Sequence, residues 1–220
     1  MAVDAEILER CKKVDPATIG HFISGGFMHP RMKPLNRSCR VIGPALTVRI
    51  PGKDSGALYH ALKHGEPGSV VVVDRCGDGV YACVGELVAY CAEKRGFAGM
   101  VIDGPVTDSA VLERSSFPVF ATGISVVTTV VYGITGDWGK PVQCAGAAVR
   151  PGDIVFGDAD GVVVIDPADL ERVLLRAEAA LEREKTIRSY IDGHGFFPMD
   201  IDKLMEARVP DMIDAIKRKT

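Results

Sequence analysis

The sequence predicts an α/β fold with a β-rich core, and three observations carry that expectation. Short apolar runs rich in β-branched residues recur along the chain, amphipathic helical stretches separate only some of them, and one long helical pattern follows the last. The 220 residues are 47% hydrophobic, enough to fill one core, so a single domain over 1–220 is expected.

Composition narrows the class of function. The net charge is −3 and the basic residues are dispersed, so no face suits a phosphate backbone and nucleic acid is not an expected partner. No run approaches the roughly 18 apolar residues that span a bilayer, and the first residues lack the apolar stretch of a secretion signal. A cytoplasmic protein without a membrane partner is therefore expected. Six cysteines are scattered without a CxxC pair, which argues against a zinc knuckle, a redox motif or a disulfide framework.

Taken in order, residues 5–14 form a plausible helix with Ile7, Leu8 and Cys11 on one side. Asp15-Pro16 then supplies an N-cap and first position for a second helix over PATIGHFIS. GGFMHPRMKPLN is a loop by its glycines and prolines, and His21 and His29 in or beside it read as surface or structural groups. RVIGPALTVRI is a strand bent at Gly43-Pro44, and SGALYHALKHG is a short helix closed by Gly65. His60 and His64 stand one turn apart, a spacing that can hold a metal, but no HExxH glutamate lies between them and the helix dipole explains His64.

PGSVVVVD is a buried strand. The glycines of RCGDGV and of GITGDWGK lack the spacing of a dinucleotide or phosphate loop, so nucleotide binding has no support. Beyond residue 108 come a helix over 109–115, a strand FPVFA and further strands through GVVVID. The Asp158–Asp160 pair reads as a turn and not a calcium loop. A helix over about 167–190 follows, with Leu170, Val173, Leu174, Ala177, Leu181 and Ile187 on its apolar side, then two short helices near 202–206 and 211–217.

The stretch that organises the rest is GELVAYCAEKRGFAGMVIDGPVTD, residues 85–108. Leu87, Cys91, the Lys94 stem and Ala98 recur at a helical period and Gly96 stands at the stop, giving a helix over 86–95. GMVID then reads as a buried strand. Gly85 thus opens a helix whose first N–H groups, at Gly85, Glu86 and Leu87, could receive a carboxylate. Asp108 follows a strand, where it could hold a divalent cation or simply cap the helix over 109–115.

This run, with CRVIGPALTV before it and VRPGDIVFGDADGVVVID after it, resembles the RraA-like family over about residues 15–184. That family includes regulators of ribonuclease E activity and metal-dependent 4-hydroxy-4-methyl-2-oxoglutarate aldolases. The resemblance implies a swivelling β/β/α-type domain with flanking helices and a long C-terminal helix, assembled as a homotrimer or a hexamer of two trimers. It implies a site between subunits, with Asp108 as metal ligand and Glu86 orienting metal-bound waters. Amides at Gly85, Leu87 and Val88 hold the substrate, and Glu184 of a neighbouring copy supplies a further acid.

The aldolases read DGxxRDxxE where this chain reads DGPVTDSAV, so Thr107 stands for the substrate-binding arginine and Val111 for the later acid. The implied activity is a metal-dependent lyase, an aldolase or decarboxylase using magnesium or manganese on a small 2-oxo acid. Thr107, Glu86 and Glu184 are its candidate catalytic residues, and Arg75 or Arg114 is a candidate substitute for the missing arginine. The alternative is a non-catalytic RraA-like interaction protein.

Overall fold

The β-branched runs become strands that are buried on both faces, and the structure, a computed structural model, describes residues 5–201. The chain divides into two compact units, Met1–Glu178 and Ala179–Thr220. The helices expected near 202–206 and 211–217 lie outside the described residues.

In the first unit, β2 (Val41–Arg49), β3 (Val70–Asp74), β4 (Gly99–Val106) and β5 (Val119–Ile124) run parallel to their neighbours. Two antiparallel strands, β9 (Ile154–Gly157) and β10 (Val162–Ile165), extend the sheet beyond β2, and β1 (Lys33–Pro34) closes its other edge on β5. A two-residue strand, β6 (Asp137–Trp138), also pairs with β2. The hairpin of β7 (Val142–Cys144) and β8 (Ala147–Val149) forms a separate pair. The segment expected to be only a loop therefore contains β1, and Phe27 bridges to Val163.

Alternate side chains of the valine run explain the core. Val71 and Val73 point toward α3 (Gly56–His64) and α4 (Glu86–Lys94), whereas Val70 and Val72 pack with Phe120, Cys144 and Val149 on the other face. Gly43-Pro44, where a bend is expected, lies where β2 gains its pairing with β3 after pairing with β9 alone, within one continuous strand. Proline has no N–H for a ladder there. A Cβ on Gly43 would lie 2.4 Å from the Gly68 carbonyl oxygen.

α4 ends as expected, with Gly96 at φ +79° just past it, but its buried face differs from the expected one. Ala89 and Ala92 face the core, and Leu87 is 80% exposed with Cys91 also exposed. Small residues let the helix lie close to the sheet, so the larger Leu87, Tyr90 and Cys91 are left on the outer stripe. α1 (Ala5–Cys11) and α2 (Pro16–Gly20) are shorter than the expected helices. The Asp15 side chain makes no cap bond and pairs with Arg40 at 3.2 Å. α5 is one turn, Ser109–Leu112, instead of 109–115.

A 3₁₀ turn at Pro167–Asp169 leads into α6 (Leu170–His194). Leu170, Val173, Leu174 and Ala177 are buried, and Arg10 of α1 reaches Glu171 and Glu178 at 2.8 and 2.7 Å. Leu181 and Ile187, expected on the apolar side, are only half-buried and belong to the second unit. Among the described residues no helix is long and apolar enough to cross a membrane.

Candidate functional site

Register between β3, β4 and β5 brings the turn after β4 against the start of α4. The Thr107 N–H donates to the Val84 carbonyl at 2.9 Å, and the Ser125 N–H donates to the Val106 carbonyl at 2.9 Å. Three loops thus meet at residues 84–86, 106–108 and 124–125. At their junction the Asp108 Oδ2 accepts the Glu86 N–H at 2.9 Å. Asp108 holds the left-handed conformation, φ 54° and ψ 36°, which turns the chain sharply into α5. Left-handed backbone at a residue other than glycine points to a functional or structural constraint at that position.

Of the two readings of Asp108 open in the sequence, the structure bears on the helix cap. Asp108 stands at the N-cap position of α5, but its side chain makes no bond there. It caps α4 instead, 22 residues away in sequence. Gly85 makes the approach possible, since a Cβ on it would lie 2.4 Å from Asp108 Oδ2 and 2.7 Å from Thr107 Cγ2. The amides of Leu87 and Val88, next in the first turn, have no acceptor inside the helix. Gly85, Glu86, Leu87, Val88, Thr107 and Asp108 are therefore neighbours, with Glu86 and Asp108 exposed and Thr107 half-buried.

Glu184 lies on α6 in the second unit, where it is half-buried and makes no hydrogen bond or ion pair among the described residues. Arg114 is exposed beyond α5. Arg75 is fully buried and committed elsewhere, which corrects the expectation that it could reach a substrate. Its Nη1 donates to the Ile50 carbonyl at 3.0 Å, and its Nη2 to the Gly52 carbonyl and Asp78 Oδ2, both at 2.8 Å. A Cβ on Gly104 would lie 2.4 Å from Arg75 Cγ, so this stem braces the underside of the turn that carries Asp108. Asp78 Oδ1 in turn accepts the Val80 and Tyr81 amides, fixing the loop that leads to α4.

Sequence reasoning missed Asp54. Only 5% exposed, its carboxylate accepts five backbone N–H groups. Gly56, Tyr132 and Gly133 donate to Oδ1 at 2.9–3.1 Å, and Ile134 and Thr135 to Oδ2 at 2.7 and 2.9 Å. These bonds, those from Thr135 and Gly56 first, hold its pKa well below the usual carboxylate range. A local signal existed in Asp-Ser-Gly before a helix, but the other four donors lie almost 80 residues on.

Other titratable candidates resolve as structural. His60 Nδ1 accepts the Trp138 Nε1–H at 2.7 Å, and its ring lies 4.5 Å from that of His64. Asp158 accepts the Asp160 amide in a turn. Burial pushes the Cys83 thiol up to about 11 and Cys144 well above its ordinary value. Among the described residues no three His, Cys, Asp or Glu side chains converge as a preformed metal cluster.

Comparison with known proteins places the chain in a family. A protein of Halalkalibacterium halodurans, named as a candidate 4-hydroxy-4-methyl-2-oxoglutarate aldolase, is 39% identical over 147 residues, covering 67% of this chain and 70% of the relative. A protein of Burkholderia mallei with the same designation is 35% identical over 144 residues, covering 66% of this chain and 86% of the relative. The crystal structure of Streptomyces coelicolor RraAS2, described as an unusual member of the RNase ES inhibitor RraA family, superposes with a TM-score of 0.75 at 25% identity, covering 86% of this chain and 98% of that one. The RraA-like family model, described as Aldolase/RraA, matches residues 13–164, the segment that carries every β-strand but the last residue of β10 and all of the loops meeting at Asp108. With the family model and the relatives in agreement, the chain belongs to the RraA-like family.

Proposed function

We propose that this protein is a divalent-cation-dependent lyase that cleaves or decarboxylates a small 2-oxo acid. The observation that carries the reading is the Asp108 carboxylate held in left-handed backbone against the start of α4, beside Glu86 and two amides without helical acceptors. The donors fit a hard cation: Asp108 uses Oδ2 on the Glu86 amide and keeps Oδ1, and oxygen ligands from substrate and water complete such a site. Bound magnesium or manganese would polarise the 2-oxo group and withdraw electrons as the carbon–carbon bond breaks. Asp108 would hold it, and Glu86 would orient its waters. The amides of Gly85, Leu87 and Val88 would receive the substrate carboxylate.

Glu184 from a second copy would complete the site as a further acid, which makes a homotrimer or hexamer part of the proposal, as is a location in the cytoplasm. Exposed Val126, Val131, Tyr132 and Ile134, 93%, 57%, 64% and 81% exposed, favour assembly. Light scattering at micromolar concentration is expected to give a mass of at least three chains, and a monomer would reject a shared site.

Titration with manganese, then with oxalate or pyruvate, tests the central reading. Cation binding that strengthens with oxalate is expected, and a protein indifferent to both would be a binding module. That second reading, a non-catalytic RraA-like regulator, is favoured by Thr107 and Val111, which remove an arginine and an acid from the turn.

Thr107→Arg restores the charged donor beside Asp108. It is expected to raise aldolase or oxaloacetate decarboxylase turnover by about 10-fold or more, because a preorganised charged donor typically contributes 10²–10³ in rate. Robust turnover of 4-hydroxy-4-methyl-2-oxoglutarate by the unaltered protein would show that another group has taken the arginine's place.

A further inference from the structure

Three segments meet at Asp108, and their charges differ from what a dicarboxylate substrate needs. Residues 80–92, 103–112 and 119–131 contain the acids Glu86, Asp103 and Asp108 and no lysine, arginine or histidine. Asp103 is already paired with Arg31 at 2.9 Å. Among the flanking cations, Arg75 is buried and bonded to Asp78, Arg114 lies beyond α5, and Lys53 sits over the Tyr81 ring, 5.6 Å from its centroid.

The same segments carry exposed hydrocarbon. Leu87 follows Glu86 and is 80% exposed, while Ile124, 61% exposed, is the register partner of Val106. Val111, whose N–H donates to the Asp108 carbonyl at 2.9 Å, is 38% exposed. From Leu87 and Val88 a largely apolar groove of about 460 Å³ runs between α3 and α4 past Tyr59, Leu62 and Cys91; Lys63 and Arg95 also line it, Arg95 donating to the Leu62 and Lys63 carbonyls.

We infer that the substrate is a 2-oxo acid whose remaining substituent is uncharged and apolar, seated against Leu87 and Ile124. The inference rests on the lyase reading above. One carboxylate is served by the first-turn amides of α4, but a second would be desolvated beside two acids with no cation on these segments. A hydrocarbon substituent instead removes Leu87 and Ile124 from water. In the aldol case the substrate is a 4-hydroxy-2-oxo acid with an alkyl group at C4. The hydroxyl loses its proton, the C3–C4 bond breaks with its electron pair taken up by the 2-oxo group, and a proton from water completes pyruvate beside an aldehyde or ketone.

Calorimetry on the manganese-loaded protein with 4-methyl-2-oxopentanoate and 2-oxoglutarate decides the matter by binding alone. The branched monoacid is expected to bind at least about 10-fold more tightly, in line with the discrimination a hydrocarbon pocket provides. Leu87→Ser and Ile124→Ser are each expected to reduce that ratio about 3-fold or more. Equal or tighter binding of 2-oxoglutarate, with manganese bound, overturns the substrate class and leaves the lyase reading standing. A ratio unchanged in both variants overturns it too, because the apolar wall would lie elsewhere. Failure of manganese to bind, read separately by electron paramagnetic resonance, removes the lyase reading and this inference together.

Discussion

Asp108→Asn is expected to lower manganese affinity by at least about 10²-fold while leaving the melting temperature of the metal-free protein within about 2 °C of the parent. The two readouts part because Asp108 has two tasks. As a cap it presents one oxygen to the Glu86 N–H at 2.9 Å, and asparagine caps a helix as well as aspartate does. Asparagine also tolerates the left-handed backbone that Asp108 occupies. As a ligand it supplies charge to a hard cation, which the neutral amide does not.

Asp108→Ala loses both tasks. It is expected to match the asparagine variant in manganese affinity and also to melt lower, since a lost N-cap costs about 1 kcal/mol and an alanine in left-handed backbone a similar amount. Titration monitored by manganese paramagnetic resonance, with thermal unfolding of the same samples, measures both. Manganese affinity in the asparagine variant within threefold of the parent would remove Asp108 from the metal site and leave it as a helix cap.

Asp54→Ala should release the loop over 132–135, and it is the largest expected effect on stability. Five amides lose their acceptor together, and Gly56 and Gly133 pack so closely that a Cβ on Gly56 would lie 2.6 Å from the Gly133 Cα. Buried donors left without partners are costly, so water must enter or the loop must leave. Hydrogen exchange at Tyr132, Gly133, Ile134 and Thr135 is expected to accelerate by at least about 10-fold, with a melting temperature more than about 5 °C lower.

The effect carries a pH signature. Native Asp54 has a lowered pKa, so its contribution is complete above the unfolded value of about 3.9 and is lost as pH falls toward the native one. The difference in melting temperature between parent and variant should therefore shrink between about pH 5 and pH 3. A constant difference across that range would show that Asp54 acts by packing and not as an anion.

Much of the fold was legible because its cause is local. Val70–Asp74 reads as a strand from four consecutive valines, and the structure buries both of its faces. Gly96 marked the end of α4, and Asp158–Asp160 read as a turn and is one. Gly43-Pro44 was expected to bend β2, yet both residues keep their places in the ladder with β9, and β2 runs unbroken over Val41–Arg49.

Periodicity was less reliable where helix faces compete. Leu87, Cys91 and the Lys94 stem make a plausible stripe, yet Ala89 and Ala92 are the residues that pack. A hydrophobicity pattern does not say which stripe will meet the sheet when the closer approach favours small side chains. Arg75 shows the same limit for charge. It reads as available, but it is fully buried against Gly104, with its two terminal nitrogens bonded to two carbonyls and Asp78 and its Nε without a partner.

By itself the sequence determined the longer strands, the main helices, the family resemblance and the candidate residues around 85–88 and 107–108 that it implies, but not the two-residue strands β1 and β6. The strands and helices follow from spacing within one element, and the family and candidate residues from the resemblance of three separate runs. Tertiary structure decided which partners the polar groups take: that Asp108 caps α4 and not α5, that Arg75 is braced inside the core, and that Asp54 holds a loop whose donors are 78–81 residues distant. The physical reason is range. Burial leaves a period of two or 3.6 residues along a single element, whereas a hydrogen bond between distant segments depends on how the sheet sets their ends side by side, and no local pattern records it.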